Sequence, residues 1–237
     1  MDNDIGRAAE RDIGPASHGH PQTQKVKGPV KDAHVVPEGE PPGIELLIER
    51  KRRSWPKTTD ARHRFRTYRN LLRGLLVRRA HQAWVSDITY VRTEEGWVFV
   101  FLISDVFSRK IVGVATGDTL EARWNVKALK MAIEQLPEKA KPVHHSDRGI
   151  QYCCEEYVEV LESRLIEISM TEENHCYENA QAERVNGILK QEYGLGDTFR
   201  TKAEARAAIE EAVWLFNERR PHTSLGYQTP SSVHVAA

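Results

Sequence analysis

Three acids in this sequence have the neighbours and the spacing to do chemistry together. Asp87 stands in Trp-Val-Ser-Asp-Ile-Thr-Tyr, a β-type run where an uncompensated charge is costly. Asp147 follows the short run Val-His-His-Ser, where a strand would end, and Glu183 lies inside a helical stretch. Thirty-five residues separate Asp147 from Glu183. Two Asp on strands and one Glu on a helix can converge into an all-oxygen cage for hard divalent cations. A cage holding two ions about 4 Å apart is a common device for moving phosphoryl groups on nucleic acids. With no Cys-x-x-Cys pair in the chain, Mg²⁺ or Mn²⁺ is expected over zinc, and two ions over one. Asp105, after Leu-Ile-Ser at a strand end, is the decoy and reads as a turn or capping residue.

The elements that must position these acids follow from periodicity. Residues 84–92 and 97–104 are β-branched or aromatic and are joined by the turn Thr93-Glu94-Glu95-Gly96. Residues 110–116 read as a third strand, 121–136 as a helix, 142–145 as a fourth strand, 155–163 as a helix and 165–169 as a fifth strand. Residues 177–193 form the helix that carries Glu183. A last helix over 201–219 has the apolar stripe Ala205, Ala208, Ile209, Ala212, Leu215 and Phe216. Three hairpin strands followed by alternating helices and strands give an α/β layer with a mixed sheet. On the Glu183 helix, Asn186, Gly187 and Lys190 fall at i+3, i+4 and i+7, a polar face with a small centre. Val185, Ile188 and Leu189 turn inward on the other side.

Composition bounds the rest. The 237 residues balance 34 bases against 34 acids, so net charge says nothing about partners, but its distribution does. Residues 1–43 are rich in Pro, Gly and His without apolar periodicity and are expected to be a disordered tail. Residues 44–80 hold twelve bases against three acids and interleave Trp55, Phe65 and Tyr68, which predicts a basic DNA-binding arm or linker. Residues 81–237, which carry all three acids, are expected to form the catalytic core. Cys153, Cys154 and Cys176 are expected to be free thiols. No apolar run approaches 18 residues, so a soluble, cytoplasmic protein is expected.

Five motifs in order carry a resemblance. They are Trp-Val-Ser-Asp-Ile-Thr-Tyr at 84–90, Ser-Arg-Lys-Ile-Val-Gly at 108–113 and His-His-Ser-Asp-Arg-Gly-Ile-Gln-Tyr at 144–152. Tyr-Glu-Asn-Ala at 177–180, running into Glu-Arg-Val-Asn-Gly at 183–187, and Phe-Asn-Glu-Arg-Arg-Pro-His at 216–222 complete the set. Over about 81–232 the chain resembles the integrase-core (DDE-type) transposases of bacterial insertion sequences, OrfB type, which are related to retroviral integrases. The resemblance implies a ribonuclease-H-like fold with a five-stranded mixed sheet flanked by helices. It implies Asp87, Asp147 and Glu183 as catalytic, metal-binding acids, with His144 and His145 as strand residues and not ligands. Lys190 is the implied DNA contact near the scissile phosphate, and Asn186, Arg148, Arg52, Arg53, Arg64 and Arg66 are the further expected DNA contacts. The implied activity is metal-dependent 3′-end cleavage and strand transfer on insertion-sequence DNA. An OrfA-type partner protein and self-association on DNA are expected with it. The competing expectation is an inactive or truncated remnant that only binds DNA.

Overall fold

The computed structural model describes residues 63–172 and 179–236. The tail at 1–43, the first part of the basic arm with Arg52 and Arg53, and Cys176 lie outside the described residues.

A long antiparallel hairpin, β1 (Ala83–Thr93) and β2 (Gly96–Asp105), starts the core. Its turn closes at Gly96, whose φ of 115° favours glycine. β3 (Ile111–Gly117) pairs antiparallel with β2. Helix α1 (Ala122–Glu134) then crosses the sheet, packed so closely on β3 that a Cβ at Gly113 would meet the Ala128 carbonyl oxygen at 2.3 Å. β4 (Val143–Ser146) joins β1 in parallel. The short α2 (Ile150–Cys153) and α3 (Glu155–Ser163) lead to β5 (Glu167–Met170), parallel to β4. Helix α4 (Ala180–Glu192), the two-residue β6 (Thr198–Phe199), α5 (Lys202–Glu218), a 3-10 turn (Thr223–Leu225) and α6 (Pro230–Val235) complete the described chain.

The sheet order is β3-β2-β1-β4-β5, the five strands expected, with β6 added beside β1 as a sixth. Two cores lie on its two faces. Trp84, Phe101, Leu129, Tyr157 and Leu161 fill the side of α1 and α3. Val100, Leu102, Leu189, Ile209 and Phe216 fill the side of α4 and α5. In α5 the buried stripe includes Val213, while Leu215 is only half-buried. A capping box fixes the start of α5: Thr201 Oγ1 accepts the Glu204 N–H at 3.1 Å, and Glu204 Oε2 accepts the Thr201 N–H at 3.3 Å.

Two features of the sheet bear on its chemistry and its borders. On the β1 edge away from β2, β4 pairs with residues 83–85 and β6 with 92–93. Among the described residues, 86–91 therefore have no strand partner on that side, which leaves a notch. At the outer side of the sheet, the end of the basic stretch lies against β5. The Arg69 carbonyl accepts the Met170 N–H at 3.4 Å, and the Leu71 N–H donates to Ser169 Oγ at 2.8 Å.

Candidate active site

Two of the three acids leave their strands beside the notch in β1, and the third lies on the helix that packs over β1. Val85 pairs with His145 across the parallel β1–β4 ladder, so Asp87 and Asp147, each two residues further on, come out at one level. Glu183 is the acidic residue in the first turn of α4. That helix is held over β1 by two asparagines. Asn179, just before it, donates from Nδ2 to the Ser86 carbonyl at 3.1 Å. Asn186 donates from Nδ2 to Asp87 Oδ2 at 2.7 Å.

Asp147 and, more weakly, Glu183 act on Asp87 through their charge. Asp87 accepts the Ile88 N–H at 2.9 Å as well as the Asn186 amide, and both bonds favour its ionised form. Burial nevertheless pushes its carboxyl up to about 7, and the nearby charges of Asp147 and Glu183 add to the rise. Burial, then Asp147 and Asp87, also drive the Tyr152 phenol upward, so this buried ring is neutral beneath the site. Asp147 Oδ1 accepts the Gly149 N–H at 2.8 Å. A Cβ on residue 149 would sit 2.9 Å from that same oxygen, so the glycine after Asp-Arg keeps the carboxylate in place. Among the described residues, no three His, Cys, Asp or Glu side chains already form a metal-holding group. Asp87 and Asp147 are half-buried, and Glu183 is exposed.

The histidines beside Asp147 are wholly buried. The His144 ring lies 2.9 Å from the Tyr157 hydroxyl, and burial lowers its pKa to about 3. His145 Nδ1 lies 2.8 Å from Ser169 Oγ. Asp105 has the expected turn role, and more: it is fully buried and accepts from the Ser108 N–H, the Ser108 hydroxyl and the His81 N–H.

The expected DNA contacts are scattered. The Lys190 amine, half-buried, lies 4.3 Å from the centre of the Tyr90 ring. Burial lowers its pKa and the charge of Asp87 partly restores it. Asn186 is buried with its amide committed to Asp87, so it orients a carboxylate. Arg148 is half-buried beside Asp147, and its carbonyl accepts from His63 Nε2 at 2.9 Å. Arg64 and Arg66 are exposed, with the Arg66 guanidinium 4.9 Å from the Tyr68 ring centre.

Sequence reasoning assigns no role to Asn179, Gln181 or Arg109. Gln181 donates to the Asp105 carbonyl at 3.2 Å and accepts from Arg109, tying α4 to the β2–β3 turn. An Asn at a helix start would ordinarily read as a cap. Only its partner 93 residues away reveals its other use.

Acids at one level on two parallel strands, faced by a helix that carries a third, define the ribonuclease-H-like class. Comparison of folds agrees. The magnesium-bound catalytic core of HTLV-2 integrase covers 70% of this chain and 99% of its own, with a TM-score of 0.52 at 22% identity. A simian T-cell lymphotropic virus intasome chain covers 75% of this chain at a TM-score of 0.55 and 19% identity. Residues 77–176 and 164–230 match two models described as integrase core domain. A 31 kDa protein of insertion element IS600 from Shigella sonnei is 36% identical over 77% of this chain and 68% of its own length. The IS3A transposase InsF of Escherichia coli K12 is 32% identical over 63% of this chain, which spans only 52% of that relative. The chain belongs to the integrase-core family of insertion-sequence transposases, related to retroviral integrases. Among the described residues no helix is long and apolar enough to cross a membrane.

Proposed function

We propose that this chain is the catalytic part of a DNA transposase that cuts the 3′ ends of an insertion sequence and joins them to target DNA. The observation that carries the reading is the crowding at Asp87. Asp87 is half-buried and accepts the Ile88 N–H and the Asn186 amide, yet burial and the charges of Asp147 and then Glu183 push its carboxyl up to about 7. Such an arrangement is costly unless a cation joins it. The all-carboxylate donor set fits Mg²⁺ or Mn²⁺. Asp87, Asp147 and Glu183 would hold the metal, which when bound supplies Lewis acidity at a phosphoryl oxygen and acidifies water or a 3′-hydroxyl.

The protein's own part is orientation. Asn186 fixes the Asp87 carboxylate from α4, and the Gly149 N–H fixes Asp147 from the loop. Glu183, exposed on a first turn, is the member with side-chain freedom to close the set. Lys190, with its amine held near Tyr90 and Asp87, is placed to meet a phosphate entering the notch. No Ser or Tyr nucleophile is needed, because water or the DNA hydroxyl attacks directly. In this reading Arg52, Arg53, Arg64 and Arg66 grip flanking duplex. An OrfA-type partner and a second copy of the chain assemble on the ends.

The test is cleavage of labelled duplex carrying the element's terminal repeats, with Mg²⁺ or Mn²⁺. Wild-type protein should nick at the 3′ ends, and Asp147→Asn should abolish nicking while still binding DNA. Nicking by Asp147→Asn at the wild-type rate would overturn the assignment. A wild type that binds the ends but never cuts them is the DNA-binding remnant instead.

A further inference from the structure

We propose that the cleft between α4 and the loop after α5 is a second grip on the DNA backbone, in which Arg109 and Arg184 take phosphates away from the cutting site, while Arg220 is paired with Glu192. This rests on the proposed action on DNA and deepens it. The cleft has a volume of about 430 Å³. Its floor is apolar, made by Val185, Ile188 and Phe216, and its rim carries the three guanidiniums with the Thr223 and Ser224 hydroxyls.

Of the three guanidiniums, that of Arg220 is neutralised by Glu192, and those of Arg109 and Arg184 are not. Arg109 sits in the β2–β3 turn with φ 66°, its backbone N–H given to the Asp105 carbonyl at 3.0 Å. Its guanidinium donates to the side-chain oxygen of Gln181, a neutral amide on α4. Among the described residues, neither Arg109 nor Arg184 has an ion-pair partner. Arg220 is locked by Glu192 through two bonds of 2.7 Å, and its Nη1 lies 3.1 Å from His222 Nδ1. The crowding registers on His222: after burial, the charges of Arg220, Arg109 and Arg184 hold its pKa down at about 4. That ring is neutral at pH 7, so positive charge at the rim comes from the guanidiniums alone. Planar guanidinium forks bind phosphate oxygens in pairs.

Continuity with the acids selects the occupant. Arg184 follows Glu183 directly and lies about 100° round the helix from it. Lys190 lies six residues on, about 9 Å along the axis. Glu183 and Lys190 share the neighbouring face of α4, so a duplex on that face reaches the cleft by turning round the helix, and the guanidiniums of Arg109 and Arg184 there complement its phosphates.

The experiment uses the full chain and a labelled duplex, with affinity read by fluorescence anisotropy across a salt series. Each phosphate contact contributes about −0.9 to the slope of log K against log salt. Arg109→Gln with Arg184→Gln should make the slope shallower by about 1.8. Arg184→Gln alone should remove about half of that, and since Arg184 is exposed this variant leaves folding unchallenged. Slopes equal to wild type for both variants would overturn the proposal. So would an unchanged slope with altered self-association in sedimentation, which would assign the cleft to an acidic segment of another copy. If the slope falls as expected but wild-type protein never nicks, the grip stands and the catalytic reading fails. If wild-type protein binds no DNA, both fail.

Discussion

Asp87 and Asp105 lie on the two arms of one hairpin, three register positions apart, the first half-buried and the second fully buried. Around Asp105 the chain supplies donors: two backbone N–H groups and a hydroxyl, all within 2.9 Å. Nearby, burial lowers the pKa of His81 and brings that of His234 to about 4, so the neighbouring rings are neutral. Around Asp87 the chain supplies two donors and then two more acids. Burial of a carboxylate is therefore no mark of function by itself. What separates the two is whether the surroundings complete the charge or compound it. The completed one fastens a turn, and in the proposed reading a cation completes the other.

The comparison is broken most directly by removing each charge in turn. Asp87→Asn should abolish nicking yet raise metal-free stability at pH 8, by up to about 4 kcal/mol, because the strained charge is gone. Asp105→Asn should do the reverse. It leaves a buried N–H or hydroxyl without an acceptor, costs about 3 kcal/mol and leaves the acids untouched. Urea unfolding with parallel nicking assays would show the opposite signs. Equal destabilisation by both would erase the distinction.

A smaller effect comes from pH. The Asp87 carboxyl titrates at about 7 when folded, against an ordinary value of 3.8. Between those values the folded state binds the extra proton, so metal-free stability should fall as pH rises from about 4 to about 7, then level off. Metal binding must displace that proton. Mg²⁺ affinity should accordingly climb by up to about tenfold per pH unit below 7 and flatten above it. Calorimetric titration of the ion at several pH values checks this. A flat profile would mean that Asp87 is not a ligand.

The smallest effects concern residues that orient the acids. Asn186→Ala and Gly149→Ala should each lower nicking about 10- to 100-fold, the usual cost of disturbing a group that aims a ligand. Unfolding midpoints should move far less than in Asp105→Asn. Activity within twofold of wild type for both would mean that the carboxylates need no such support.

Much of this architecture is legible in the sequence because its signals are local. Thr93-Glu94-Glu95-Gly96 marks the hairpin, and α3 falls on 155–163 as its pattern predicts. Asp105 beside Phe-Ser-Arg announces a turn. β6 escapes because two residues carry no period, and the four-residue α2 escapes for the same reason. α6 does have a signal, Thr229 before Pro230, with Thr229 Oγ1 accepting the Ser232 N–H, but it is too short to show a stripe. At the site, residue type and order point to Asp87, Asp147 and Glu183. Orientation does not show: the polar face that suggests Asn186 as a DNA contact gives no hint of a carboxylate 99 positions earlier. Nor does the sequence reveal that Arg109 and Arg184 border one cleft.

The chain at Arg69 to Leu71 has a consequence beyond charge. Among the described residues β5 is the last strand on its side of the sheet, and an open strand edge invites pairing with another molecule. Bonds to the Met170 N–H and Ser169 Oγ occupy that edge. Trimming the chain to residue 77, where the match to the integrase core begins, would strip this cover. Such a fragment would keep its acids and gain a sticky border, and the stickiness could pass for genuine oligomerisation.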